Sequence, residues 1–562
     1  MCSRTDSNRG VQRPRLSKRR VGLTVLEILV AATLAMVIII AMVQIFATAG
    51  DAISNAKASL EISGQLRLAS SRLAQDLRGV TVPMLPNAAP ADGGGYFEYM
   101  EGPSKDRDVN NDGINDSTQL DLKGRLAGAL AAGSVAETDT LGISVGDIDD
   151  VLMLTVKSEA EPFVGQVDGS LVSGGTAGEP SVIKSALAEI IWWTQVNDDD
   201  GDNVWDPGET VTVYRRVLLI RPDLNDDTTG RLDISMLVPP LNATPRDLRL
   251  FYNENDLSVR PHRDSSGSVV GFSANSLADL TKRENRFAHY PVATGSPATF
   301  RLANQGFPFE IDRRTDSPTS LFNLAKWDVE DGPDGSPGTA DDVVQNKRGE
   351  DVILSNVTAF DVRLFDRHAP IILDNSVALI PGDPGYDPDT AGSASITPAE
   401  ASTLRTSPIG TGAFVDLNYT GEPLDGASPA LTSSFPLEYT LSSRRLSPFS
   451  GIPAFRDQNG NEQQDGIGSG ADYFLGTSTA TYCTWSRHYE VDGIDQDGDG
   501  TVDEGSDGLD NDNQNGVDDP GEYETSPPYP YPLRGIQVRF RVIEIDTKQV
   551  RQTSVISDFT PE

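Results

Sequence analysis

Five stretches of this chain set oxygen-bearing side chains at alternating positions, the arrangement a hard divalent cation requires. In DQDGDGTVDEGS, Asp495, Asp497, Asp499 and Asp503 occupy positions 1, 3, 5 and 9, with Gly500 at position 6. This is the ligand spacing of a calcium loop. Position 12 is Ser506 rather than a bidentate Glu, and Glu504 or Asp507 is close enough to substitute. The segment DGIDQDGDGTVDE returns 15 residues later as DGLDNDNQNGVDD, which puts Asp510, Asp512, Gln514 and Asp518 at the matching places. A third loop, DDDGDNVWDPGE, aligns Asp198, Asp200, Asp202, Asp206 and Glu209 with positions 1, 3, 5, 9 and 12. Asn203 stands where glycine is usual, and Asn tolerates the left-handed backbone needed there. Asp108, Asn110, Asp112 and Asp116, with Gly113, form a fourth; Asp457, Asn459, Asn461 and Asp465 form a fifth that is nearly neutral. Carboxylates crowded this way repel one another, and a cation relieves the repulsion; without one they are solvated Asx turns. Calcium suits flexible, multi-oxygen loops better than magnesium. The role expected of it is structural, to rigidify long insertions.

One further acid stands apart from these loops. Residues 18–48 read KRRVGLTVLEILVAATLAMVIIIAMVQIFAT, in which Glu27 precedes about 20 uncharged, mostly apolar residues, enough to span a bilayer. An ionisable group at the head of such a segment is costly to keep and marks a functional position.

Three readings compete for this N-terminus. A secretory signal peptide finds an A-x-A site at Ala47-Thr48-Ala49, but its apolar core is normally only about 7–15 residues and carries no acid. A plain signal anchor would be oriented by the basic residues of the first 22 positions staying inside. The third reading accounts for Gly22 and Glu27 together. A basic leader ending in Gly22 and followed by Leu23, Thr24, Val25, Leu26 and Glu27 resembles the type IV pilin superfamily. The resemblance implies cleavage by prepilin peptidase between Gly22 and Leu23 and N-methylation of Leu23, although the family usually has Phe there. It also implies that Glu27 is an assembly residue, neutralised by the α-amine of a neighbouring subunit. In a helix Glu27 lies only about 6 Å along the axis from Leu23.

The remaining composition narrows the function. The 562 residues carry 46 Lys+Arg against 83 Asp+Glu, a formal charge of −37. The first 22 hold seven of the basic residues and one acid, so a trimmed chain keeps 39 against 82. Such a surface repels nucleic acid and attracts cations, so no nucleic-acid partner is expected. Cys2 and Cys483 leave a trimmed chain with one thiol and no internal disulfide. The four histidines, His262, His289, His368 and His488, are scattered. No nucleophile elbow, zincin motif or phosphate loop occurs, and no enzyme is expected.

The elements that must position these residues follow from periodicity. No proline falls between Pro14 and Pro83, so one helix is predicted from about Thr24 to Arg78, roughly 80 Å long. Its second half carries a stripe of Leu66, Ala69, Leu73, Leu77 and Val80, with Arg67, Arg72, Asp76 and Arg78 on the other faces. Predicted strands are Val151–Val156, Glu189–Thr194, Val211–Arg221, Val352–Leu364 and Arg534–Ile545. In the last, Ile536, Val538, Phe540 and Val542 alternate with Gln537, Arg539 and Arg541. One apolar and one polar face argue for an antiparallel sheet packed on a helix. Trp192-Trp193 reads as core plus rim. The expected fold class is α+β: a long N-terminal helix, half membrane and half amphipathic, packed on an antiparallel sheet with long acidic insertions.

The order of RLAQDLRGV, VTVYRRVLLI, VILSNVTAFDVRLFD and YPLRGIQVRFRVIEID is similar to that of the minor pseudopilins of the J type in type II secretion. The resemblance covers about a third of the chain. It implies a structural filament subunit, tip-located because of its bulky head. Its partners would be prepilin peptidase, other pilin-like subunits and the inner membrane. The expected organisation is a leader at 1–22, a transmembrane helix at 23–48, an amphipathic continuation at 49–80 and a head at 81–562, periplasmic or outside the cell. Acidic calcium-type loops, which resemble thrombospondin or dockerin repeats in the tandem pair, fall at 108–119, 198–209, 457–468 and 495–522. The alternative is a calcium-dependent adhesion protein borrowing a pilin-type anchor.

Overall fold

The computed structural model describes residues 24–84, 94–103, 150–197, 210–233, 251–252, 254–263, 269–289, 327–330, 343–346, 351–374, 377–380, 409–417, 455–456, 473–474, 479–493, 500–511, 513, 516–518, 522–523, 532–545 and 547–559. Two compact units divide the chain at Leu60/Glu61. One helix, α1, runs from Val25 to Arg78. It begins where Thr24 caps it and continues through a sequence free of proline and rich in Ala, Leu and Ile, which lose little on becoming helical.

The strands in chain order are β1 (Phe97–Pro103), β2 (Val151–Lys157), β3 (Phe163–Asp168), β4 (Pro180–Ser185), β5 (Leu187–Val196) and β6 (Val211–Leu219). They continue with β7 (Val259–Arg263), β8 (Val269–Ala274), β9 (Trp327–Glu330), β10 (Val343–Asn346), β11 (Val352–Asp374) and β12 (Val377–Leu379). The last are β13 (Gly410–Val415), β14 (Phe455–Arg456), β15 (Tyr473–Phe474), β16 (Thr479–Cys483), β17 (Gly535–Glu544) and β18 (Gln549–Asp558). A ten-stranded sheet has the order β16-β1-β2-β5-β6-β11-β17-β18, with β12 and β13 also paired to β11. Its pairs are antiparallel. The five strands expected from the sequence are β2, β5, β6, β11 and β17, five consecutive neighbours in that order. The class is α+β, as expected.

Two apolar clusters form on this sheet. The first gathers Ile62, Leu66, Ala69, Leu73 and Leu77 of α1 with Leu152, Leu154, Ile190, Trp192, Val213, Phe360, Val362, Ile536, Val538 and Phe540. Four of the five stripe positions are buried, and Val80 is partly buried against the same cluster. The second gathers Tyr96, Met153, Ile191, Trp193, Tyr214 and Leu218 with Phe251, Tyr252, Phe272, Leu280 and Phe287. Because strand side chains alternate, the two clusters lie on opposite faces of β1, β2, β5 and β6.

This corrects two expectations. The sheet does not have one wet face throughout: β2 shows buried side chains from Val151 to Val156, because Val167, Ile183, Phe251, Tyr252, Phe272, Leu280 and Phe287 supply a second cover. The one-sided alternation holds at β17, where Gln537, Arg539 and Arg541 are half-buried between buried neighbours. Trp192 and Trp193 are both buried, one in each cluster, rather than core plus rim.

Asp76 is the third correction. It does not sit on an outer face but is 2% exposed. Its Oδ2 accepts hydrogen bonds from Trp192 Nε1 at 2.9 Å and Arg215 Nε at 2.8 Å, and its Oδ1 accepts from Arg215 Nη2 at 2.7 Å. This charged fork fixes the rotation of the buried end of α1 against β5 and β6.

Candidate anchor, acidic loops and a buried charge cluster

Gly22 and Leu23 lie outside the described residues. Glu27 does not, and it has a local role that the sequence reading omitted. The Thr24 backbone N–H donates to Glu27 Oε2 at 2.8 Å, and the Thr24 hydroxyl is 3.1 Å from the same oxygen. The Glu27 N–H in turn donates to Thr24 Oγ1 at 3.3 Å. This is a capping box, T-x-x-E, which satisfies backbone donors that the first turn leaves open. Every described side chain from Thr24 to Gly50 is exposed. Covering an exposed Leu, Ile, Val or Phe is worth about 1.5–3 kcal/mol each, so this stretch needs an apolar surrounding. It is long and apolar enough to cross a membrane.

Of the calcium-type residues, Asp503, Asp510 and Asp518 are described. Asp495, Asp497, Asp499 and Asp512 lie outside the described residues. So do Asp198, Asp200, Asp202, Asp206 and Glu209, the set Asp108, Asn110, Asp112 and Asp116, and the set Asp457, Asn459, Asn461 and Asp465. Among the described residues no three His, Cys, Asp or Glu side chains converge on one point.

The tandem pair repeats in geometry as well as in sequence. Asp503 has φ 54° and Asp518 φ 53°; Gly493 has φ 76° and Gly508 φ 81°. The Gly493 N–H donates to the Asp503 carboxylate at 3.0 and 3.1 Å, and the Gly508 N–H to Asp518 Oδ1 at 2.8 Å. Each bond closes a ten-residue span, and a carboxylate so engaged keeps lone pairs for a cation. The residues offered for position 12 differ in availability. The Ser506 hydroxyl donates to the Glu490 carbonyl. Asp507 accepts from the Leu509 N–H at 2.7 Å and from Asn511 Nδ2 at 3.1 Å. Glu504 is buried.

Among the described residues, a buried charge cluster gathers around Glu98 that the sequence reading does not contain. Glu98 on β1 is fully buried, and Oε1 accepts from Arg283 Nε at 2.8 Å while Oε2 accepts from Arg286 Nη1 at 2.7 Å. His289 Nε2 lies 3.2 Å from Glu98 Oε1, and its Nδ1 lies 2.8 Å from the Phe287 carbonyl. Arg286 also donates to the carbonyls of Thr281 and Thr484 and stacks 4.3 Å over the Tyr96 ring. A second buried carboxylate, Glu189 on β5, accepts from Tyr96 OH at 2.7 Å, the Phe287 N–H at 2.8 Å and the Ser258 hydroxyl at 2.5 Å. Cys483, which faces Glu98 across the β1–β16 pair, is buried and free.

Opposing forces set the charges here. Burial works to raise the Glu98 pKa, but Arg283, His289 and Arg286 overrule it and hold the carboxyl well below the ordinary carboxylate range. Burial raises Glu189 against its three donors and Arg286, and pushes Cys483 up to about 12. At His289 both ring nitrogens face oxygen acceptors, so a neutral ring makes only one of the two hydrogen bonds. A second proton would gain one charged bond of about 1.5–3 kcal/mol. It would also bury a third positive charge beside two guanidiniums, a cost of several kcal/mol. The cost wins: burial, with Arg283 and Arg286 against Glu98, lowers the His289 pKa. His289 is thus tied into a buried charge cluster, a contact that its place in the sequence does not show.

Searches against protein-family models, curated proteins and solved structures find no match to this chain.

Proposed function

We propose that this chain is a structural subunit of a type II secretion or type IV pilus-like filament, a minor pseudopilin or pilin. It is made with a cytoplasmic leader, trimmed by prepilin peptidase after Gly22 and held as a single-pass protein in the inner membrane with its head outside the cytoplasm. The observation that carries the reading is α1 itself. It starts at the motif containing Glu27, exposes apolar side chains on all sides at first, and ends as a one-sided stripe in a sheet-bound core. A helix that only anchors needs about 20 apolar residues. Here exposed apolar positions continue at Ile53, Leu60 and Leu68, 71, 75 and 57% exposed, which suits contacts with neighbouring helices beyond the bilayer.

Glu27 serves two successive roles in this reading. Before trimming it caps the helix through Thr24; after trimming the new amine of Leu23 lies one residue ahead of that cap, and a neighbour's amine becomes its partner in the filament. Calcium in the acidic loops stiffens the head. The tandem repeat of geometry at Asp503 and Asp518 supports this and also favours the second reading, a calcium-dependent adhesion head on a pilin-type anchor. Co-expression with prepilin peptidase tests the assignment: the wild-type chain shortens by 22 residues' worth of mass, and Gly22→Ala does not. Equal processing of both would remove the pilin-type reading.

A further inference from the structure

We propose that residues 281–289 form an acid-released clasp on the sheet, with His289 as its trigger. The clasp closes an element of modest size: α2 (Leu277–Leu280), itself capped by Ser276 and Asp279, followed by the turn to His289. Its attachment to the sheet converges on two buried carboxylates. Glu98 takes Arg283, Arg286 and His289, and Glu189 takes the Phe287 N–H. Between Phe287 and His289, Ala288 is held at φ 60°, a left-handed conformation that a residue with a Cβ adopts only under constraint from its surroundings. The turn is thus held against a local preference to relax, by bonds that depend on charge.

The charged groups acting on the His289 ring are Glu98 on β1 and Arg283 and Arg286 on the clasp, and these in turn meet Tyr96 just ahead of β1, Glu189 on β5 and Cys483 on β16. Tyr489 OH bonds Glu284 at 2.7 Å and accepts from the Arg283 N–H at 3.0 Å, so the clasp is tied to the 487–490 turn as well. In the closed clasp the imidazole binds its second proton less readily than a ring in water. Released, it titrates near the ordinary value of about 6.5. Release is therefore absent above that pH and grows as pH falls below it. Glu189, whose pKa burial raises, works in the opposite direction as pH falls. Its proton strengthens closure, and the comparison with His289→Gln isolates the part that belongs to His289.

Hydrogen exchange on the full chain in detergent, corrected for intrinsic rates, reads the clasp directly. Between pH 7.5 and 5.5 the amides of 281–289 are expected to lose up to about tenfold in protection, while β5 and β6 in the same molecule hold theirs. His289→Gln, which cannot titrate, is expected to show no such pH step. Unchanged or increased protection of 281–289 at pH 5.5 in the wild type would overturn the proposal, as would an equal step in His289→Gln. Should His289→Gln fail to fold, the comparison of 281–289 with β5 and β6 in the wild type decides alone.

Discussion

Single residues in this protein carry charge into places where charge is expensive, and each does so with partners brought from far along the chain. Glu98 meets Arg283, Arg286 and His289 at separations of 185 to 191 residues. That distance is why the cluster was illegible in the sequence. A glutamate in FEYMEGP looks like one more wet strand position, and nothing local announces its cations. The same holds for Glu189, which reads as the polar edge of EIIWWT until Tyr96, Ser258 and Phe287 are placed around it. Glu27 and Thr24 are the opposite case, because a capping box is written within four residues. The depressed pKa of Glu98 sets a pH dependence. Its contribution to stability is complete above the ordinary carboxylate value of about 4.5 and is lost as pH falls through the folded-state value. Acid titration of unfolding is expected to show a shallower loss below pH 4.5 in Glu98→Gln than in the wild type, from a lower starting stability at pH 7. Parallel curves would count against this charge assignment.

At the scale of elements, long apolar periodicity was the legible part. The helix Val25–Arg78 and five neighbouring strands declared themselves because each carries its own pattern of burial. The strands β1, β16 and β18 and the hairpins β3–β4 and β7–β8 did not, since short segments such as VRPHR have no period to read. The second apolar cover was missed for the same reason, and with it the two-faced burial of β2 and β5. Asp76 was misplaced because helical periodicity assigns a face but cannot show that Trp192 and Arg215 wait beneath it. Its removal therefore has a defined cost. Asp76→Ala leaves a half-buried guanidinium and a buried indole N–H without this partner, and denaturant unfolding is expected to show a loss of about 2–4 kcal/mol. Arg67→Ala, exposed on the same helix, is expected to change stability by less than about 0.5 kcal/mol. Similar effects of the two would mean that the fork does not fix the helix.

Across the whole molecule, an acidic head and an apolar helix ask for different surroundings. Most of the 83 acidic residues lie beyond the helix, where a calcium-rich exterior would relieve their repulsion. For a weak extracellular site with Kd of about 10⁻³ M, about 10 mM calcium adds roughly 1.4 kcal/mol per site. Thermal melting of the full chain in detergent is expected to rise with calcium and to fall back with a chelator; a melt indifferent to both would leave the loops without an ion. The helix, whose apolar side chains are exposed from Val25 onward, asks for an apolar cover. If the filament reading holds, Glu27→Ala is processed normally yet assembles poorly, since the cut lies before the helix and the lost carboxylate is needed only between subunits. Sequencing the N-terminus of the membrane-held chain, after co-expression with prepilin peptidase, tests the central claim most directly. The account predicts an N-methylated Leu23 as the first residue. A chain beginning at Gly50, or one still beginning at Met1, would contradict it.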